Sequence, residues 1–133
     1  MFSYTREEIT NRELIDLERY NSAVKYKKIK LANLDNPYLF YDAIDKNGKC
    51  YEFKQANHWF GDFKNVICPR SKLRNADDKN FRLIYHFLNG DMYYIDYDLR
   101  YWKGALLDNP RFPTMVCIPI QKLKPLIKNK CYL

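Results

Sequence analysis

The spacing of hydrophobic and polar positions changes once along the chain, near Val24. Before it, Leu14, Leu17, Tyr20 and Val24 fall on one helical stripe, with Arg12, Asp16 and Arg19 away from it. That pattern predicts a helix with a single buried face. Thr5 with Glu8, and Thr10 with Glu13, both match the capping box, in which hydroxyl and carboxylate satisfy orphan amides at a helix start. After Val24 the runs become strand-like. Residues 25–31 set Tyr26, Ile29 and Leu31 among lysines and suit a short edge strand, ended by turn chemistry at 33–37. Residues 38–45 and 49–56 flank Lys46-Asn47-Gly48, and residues 81–88 and 91–98 flank Asn89-Gly90, so two hairpins are expected, the second of the two-residue type. Residues 57–80 contain Gly61, Pro69 and a polar tract and read mainly as loop, with one helical turn near 71–77. The last third offers a short helix over 102–107, a strand over 114–118 and a basic tail. The sum is an α+β fold, an N-terminal helix packed on a mostly antiparallel or mixed sheet.

Length and composition narrow this without changing it. The 133 residues suit one domain, 1–133, large enough to form a core without disulfides or metal. The four cysteines, Cys50, Cys68, Cys117 and Cys131, form no C-x-x-C pair, so reduced thiols are expected. No apolar run is long enough to span a bilayer and the N-terminus lacks a signal-like core, so the expectation is a soluble cytoplasmic or nuclear protein, neither secreted nor membrane-bound. With 23 Lys+Arg against 16 Asp+Glu the formal net charge is +7. The excess gathers at Lys25, Lys27, Lys28 and Lys30, at Arg70, Lys72 and Arg74, and at Lys122, Lys124, Lys128 and Lys130. A polyanionic partner is one reading of these clusters, and an ordinary solvated surface is the other.

The informative stretch is the first hairpin. Asp45-Lys46-Asn47-Gly48-Lys49 suits a type I turn closed by a G1 bulge, which pairs Asp45 with Lys49. Opposed residues then sum to 94, Asp42 faces Glu52, and Lys54 shares the Glu52 face. A two-residue Asn-Gly turn would make the sum 95 and bring Asp45 to Glu52 and Lys54 instead. Directly opposed carboxylates destabilise a strand pair unless a cation lies between them, and Mg²⁺ suits carboxylate and water oxygens.

An Asp followed by Glu-x-Lys across a tight hairpin, behind an acid-bearing helix, resembles the PD-(D/E)xK nuclease superfamily of restriction-endonuclease-like fold. The resemblance covers residues 7–55 and departs from the pattern in having Tyr41, not Pro, before Asp42. It implies a restriction-endonuclease-like core and a divalent-metal-dependent endonuclease hydrolysing phosphodiester bonds in DNA or RNA. Asp42 and Glu52 would ligate Mg²⁺ or Mn²⁺, the carbonyl of Phe53 would complete the shell, and Lys54 would orient or activate the attacking water. Glu13 or Glu18 would supply the further acid that many members carry on the first helix. Lys27, Lys28, Arg70, Lys72 and Arg74 would hold the nucleic-acid backbone, and a homodimer would let so small an enzyme cut two strands.

Other residues carry weaker signals. His58 and His86 are too few and too isolated for an H-N-H or zinc-hydrolase site; His58, four residues past Lys54, is not taken as a site residue, and His86 suits a satisfied core histidine. Asp96 and Asp98 form a fallback acidic patch. Tyr93, Tyr94, Tyr97, Tyr101 and Trp102 suit a core better than a base-stacking platform. The competing function is a non-catalytic basic module that binds nucleic acid or protein, including a nuclease fold that has lost turnover.

Overall fold

A computed structural model describes residues 6–24, 28–31, 41–69, 80–97, 107–108 and 115–128. Helix α1 spans Arg6–Ala23, so its start matches the Thr5/Glu8 frame while Thr10 lies inside it. Tyr20 is fully buried, with Leu17 and Val24 packed around it. Two positions differ from the helical stripe read in the sequence. Leu14 is 45% exposed, and Asp16, expected on the solvated side, is only 3% exposed. Asp16 and Tyr20 are one turn apart and face the sheet together, where Asp16 finds polar partners that Leu14 would not need. Arg19 also reaches the sheet.

Among the described residues nine strands follow: β1 (Ile29–Leu31), β2 (Ala43–Asp45), β3 (Cys50–Ala56), β4 (Asn65–Pro69), β5 (Phe81–Phe87), β6 (Met92–Asp96), β7 (Leu107–Asp108), β8 (Met115–Pro119) and β9 (Lys124–Ile127). They form a six-stranded sheet in the order β1-β2-β3-β5-β6-β9 and a three-stranded sheet β4-β8-β7. Within the described residues every pairing is antiparallel except β3 with β5, which run parallel in register from Cys50↔Phe81 to Ala56↔Phe87. A parallel pair needs a long crossover, and the segment between Ala56 and Phe81 supplies it. That segment is not simply loop, because β4 lies in it. Val66 and Cys68 point inward and Ile67 outward, an alternation too short before Pro69 to stand out in the sequence. The basic tail likewise contains β9, an edge strand that accommodates Pro125. Lys122, Lys124 and Lys128 are exposed along it. The helical segments expected at 71–77 and 102–107 lie outside the described residues, apart from Leu107, which opens β7.

Both hairpins close with the same three-residue turn. In the first, the Asp45 amide donates to Lys49 O and the Gly48 amide to Asp45 O, both at 3.1 Å, with Gly48 at φ 85°. In the second, Phe87 N donates to Asp91 O at 2.8 Å and Gly90 N to Phe87 O at 2.9 Å, with Gly90 at φ 93°. The expected two-residue turn at Asn89-Gly90 is therefore corrected: Gly takes the left-handed bulge position in both loops, the conformation it adopts without a Cβ penalty.

The large sheet is covered on both faces, which explains why β5 is buried at five of its seven positions. On one face Tyr20 of α1 packs with Ala43, Tyr51, Phe53, Ile84 and Met92. On the other, Leu83, Tyr85, Phe87 and Ile95 meet Val66, Cys68, Val116 and Ile118 of the small sheet. Each such aliphatic or aromatic side chain withdrawn from water contributes about 1.5–3 kcal/mol. Tyr93 joins this core, stacked on Phe60 with centroids 3.9 Å apart, and Tyr97 packs against it. Tyr101 and Trp102 lie outside the described residues.

Candidate metal and phosphate site

Strand β3 lies between β2 and β5 in the large sheet; β5 pairs with it along its whole length, and β2 only at Cys50 and Tyr51. Glu52 and Lys54, two residues apart, share the face turned toward the small sheet. Lys54 Nζ stands 3.6 Å from Glu52 Oε1, and Glu52 is 4% exposed. The pairs Ala43↔Tyr51 and Ile44↔Cys50 fix the register at the sum of 94, and the ladder ends there, with Asp42 next in the chain beside the Tyr51–Phe53 stretch.

The chain bends at Asp42, and β2 does not continue past it. Phe53 N–H therefore lacks a strand acceptor there, and the Asp42 carboxylate takes the role: Phe53 N donates to Asp42 Oδ2 at 2.8 Å. The Asp42 amide donates in turn to Tyr51 O at 2.8 Å. One residue thus grips the main chain on both sides of Glu52. In an extended strand the N–H and C=O of a residue point to one edge, so the Phe53 carbonyl faces that edge as well.

The same register removes Asp45 from the site. Its carboxylate accepts from Tyr51 Oη at 2.9 Å and from the amides of Asn47 and Lys49 at 2.8 and 3.1 Å, on the α1 face of the sheet. Burial works against its charge, yet these bonds together hold the Asp45 carboxyl below its ordinary pKa.

Two carboxylates and a carbonyl are hard oxygen donors, and Mg²⁺ binds through one or two carboxylates while keeping waters and substrate phosphate oxygens. Asp42, Glu52 and Phe53 fit that chemistry. No third acid joins them: among the described residues no three His, Cys, Asp or Glu side chains gather to hold a metal. Glu13 is half-buried and Glu18 exposed on α1, which packs on the face opposite Glu52 and Lys54, so the structure does not bring the helix acids to the hairpin.

What α1 does bring to the sheet is a network that the sequence did not signal. His86 Nδ1 lies 2.8 Å from Asp16 Oδ1, and its Nε2 lies 2.8 Å from Arg19 Nη1. Arg only donates, so Nε2 is the acceptor of the Arg19 contact. Gln55 donates to the other Asp16 oxygen at 2.9 Å, and Arg19 also bonds Gly90 O. His86 is thus the satisfied histidine expected.

The fallback patch is engaged elsewhere. Asp96 accepts from Arg82 Nε and Nη2 at 2.6 and 3.0 Å and from Lys49 Nζ at 2.9 Å. Burial opposes its charge, but Arg82 and Lys49 outweigh it and hold the carboxyl below its ordinary pKa. Asp98 lies outside the described residues, as do Lys27, Arg70, Lys72 and Arg74; Lys28 is exposed just before β1.

Beside Lys54 the two sheets diverge into an open cleft of about 730 Å³, bordered by Asn57, Phe63, Lys64, Ile67 and Cys117. Tyr85 lines it too, its hydroxyl donating to Ile67 O at 2.9 Å. Burial pushes the Tyr85 phenol well above its ordinary pKa, with the nearby Cys68 and Glu52 adding to the effect. Among the described residues Cys50, Cys68 and Cys117 form no disulfide with one another. No helix among the described residues is long and apolar enough to cross a membrane. No known family model, no curated protein and no solved structure matches the chain.

Proposed function

We propose that the protein is a divalent-metal-dependent endonuclease acting on DNA or RNA, with a restriction-endonuclease-like core and the PD-(D/E)xK site of that superfamily. The observation that carries this reading is the end of the first hairpin, where Asp42 bonds the main chain on both sides of Glu52 and Lys54 Nζ lies 3.6 Å from Glu52 Oε1.

Asp42, Glu52 and the Phe53 carbonyl would hold Mg²⁺ or Mn²⁺, which when bound polarises the scissile phosphate and makes its bound water a stronger acid. The protein's own part is positioning and charge. Phe53 N–H fixes the Asp42 carboxylate against the Glu-x-Lys strand. Lys54 places an ammonium where negative charge builds on the phosphoryl oxygens, and its pairing with Glu52 keeps it directed there before substrate arrives. Exposed cations such as Lys28 would neutralise backbone phosphates.

The competing reading is a non-catalytic nucleic-acid- or protein-binding module. It draws on the burial of Glu52 and on the structural use already made of one Asp42 oxygen. Lys54→Ala separates the two. An endonuclease loses strand cleavage in this variant and keeps most of its nucleic-acid affinity, whereas a binding module shows no cleavage in either protein.

A further inference from the structure

The cleft beside Lys54 combines four features. Lys54 and Lys64 line it and no Asp or Glu does. Asn57 and Asn65 put amides, which both donate and accept hydrogen bonds, into its wall. The rest of the lining is mostly apolar. Phe63, 59% exposed, adds a largely open aromatic ring to the lining.

Phe63 is also held in place. His58 packs against its ring at 4.7 Å in a T-shaped arrangement, and His58 is itself seated on Phe87 at 5.6 Å. The turn that leads into Phe63 is braced at both ends: Trp59 N donates to Asp62 Oδ2 at 3.0 Å and Asp62 N to Trp59 O at 3.2 Å. The chain just after it is tied down where Ile120 N donates to Lys64 O at 3.0 Å.

From this we infer that the cleft receives one unpaired nucleobase, stacked on Phe63 with its edge toward the Asn57 and Asn65 amides and its phosphate between Lys54 and Lys64. A flat aromatic ring with polar edges and an anionic tether matches an aromatic platform, an amide wall and two ammoniums, of which Lys54 is paired with Glu52 behind the lining. A base in a paired duplex has both faces stacked and its edge occupied, so the cleft selects unpaired positions. This deepens the nuclease reading and depends on it in one respect: Lys54 belongs to both sites, so the captured base neighbours the phosphate that is cut.

The test uses the full chain in EDTA, where binding is read without cleavage. The probes are single-stranded DNA and RNA oligonucleotides carrying the fluorescent base 2-aminopurine, with the same DNA as a fully paired duplex for comparison. The expected result is a change in 2-aminopurine fluorescence on binding of at least one single strand. Phe63→Ala should weaken that binding about ten-fold and Phe63→Tyr restore it, while duplex binding stays unchanged in both. Phe63 is exposed, so neither change disturbs the core. Unaltered fluorescence on a strand that anisotropy shows to be bound, failure of both strands to bind, or equal affinity of wild type and Phe63→Ala would overturn the inference. Cleavage of the same oligonucleotides with Mg²⁺ is scored separately. Cutting without a base signal removes the cleft proposal and leaves the nuclease; a base signal without cutting does the reverse.

Discussion

Phe53 N–H donates to Asp42 Oδ2 at 2.8 Å, so the acid nearest the Glu-x-Lys strand is fixed by the main chain of that strand. The bond gives Asp42 two separable roles. Asp42→Asn keeps an oxygen acceptor for Phe53 and removes the charge, so it should fold with near-normal stability and lose metal-dependent activity. Asp42→Ala leaves the Phe53 amide without its acceptor and should cost about 1–3 kcal/mol in addition. Denaturant unfolding of the two variants, beside their cleavage rates, checks the separation.

Asp45 makes the converse case. Its carboxylate holds the turn amides and the Tyr51 hydroxyl and lies on the α1 face, away from Glu52. Asp45→Ala should lower stability by about 1–3 kcal/mol while cleavage at a permissive temperature stays at the wild-type level. Loss of turnover in a folded Asp45→Ala protein would contradict the purely structural role given to Asp45.

His86 bridges Asp16 and Arg19 through its two ring nitrogens, in a network that buries Asp16. His86→Ala should destabilise the protein by about 1–3 kcal/mol, since Asp16 loses a donor and Arg19 an acceptor in the same step. Chemical denaturation measures it, and an unchanged midpoint would contradict the network.

Stability should fall at both ends of the pH scale. Asp45 and Asp96 have folded pKa values below 3.8, so their contribution is complete above that value and is lost as pH drops through the folded values. Tyr51 and Tyr85 are raised above 10.0, mainly by burial, with the Asp45 bond adding at Tyr51. The folded state keeps their protons where the unfolded chain would release them, so stability is complete below pH 10 and declines above it. Thermal melts across pH, with tyrosinate absorbance followed at the alkaline end, should show a plateau between these limits.

The sequence revealed elements with a strong local period and missed those decided by distant partners. The β2–β3 hairpin was legible because Asp45, Asn47 and Gly48 encode their own turn, and that turn set the register of Ala43↔Tyr51 and Ile44↔Cys50. The second turn was misjudged because Asn89-Gly90 fits either loop length, and the Phe87–Asp91 pairing that decides it involves both strands. β4 and β9 were missed because each is short, carries a proline and gains its hydrogen bonds from a strand far along the chain. Asp16 read as solvated because its partners, Gln55 and His86, lie on strands whose parallel pairing no local pattern announces. At the site, Glu52 and Lys54 follow from alternation alone, but the Asp42–Phe53 bond depends on where β2 stops.

The most direct test of the nuclease reading is cleavage of labelled duplex, branched and single-stranded DNA and of RNA, with Mg²⁺, Mn²⁺ or EDTA, by wild type, Asp42→Asn and Glu52→Gln. The account predicts cutting of at least one substrate with metal, none in EDTA, and a loss of at least about a hundred-fold in both variants, as expected when a group that stabilises transition-state charge is removed. Cutting that survives in Glu52→Gln, or binding without cutting under every metal condition, would contradict it.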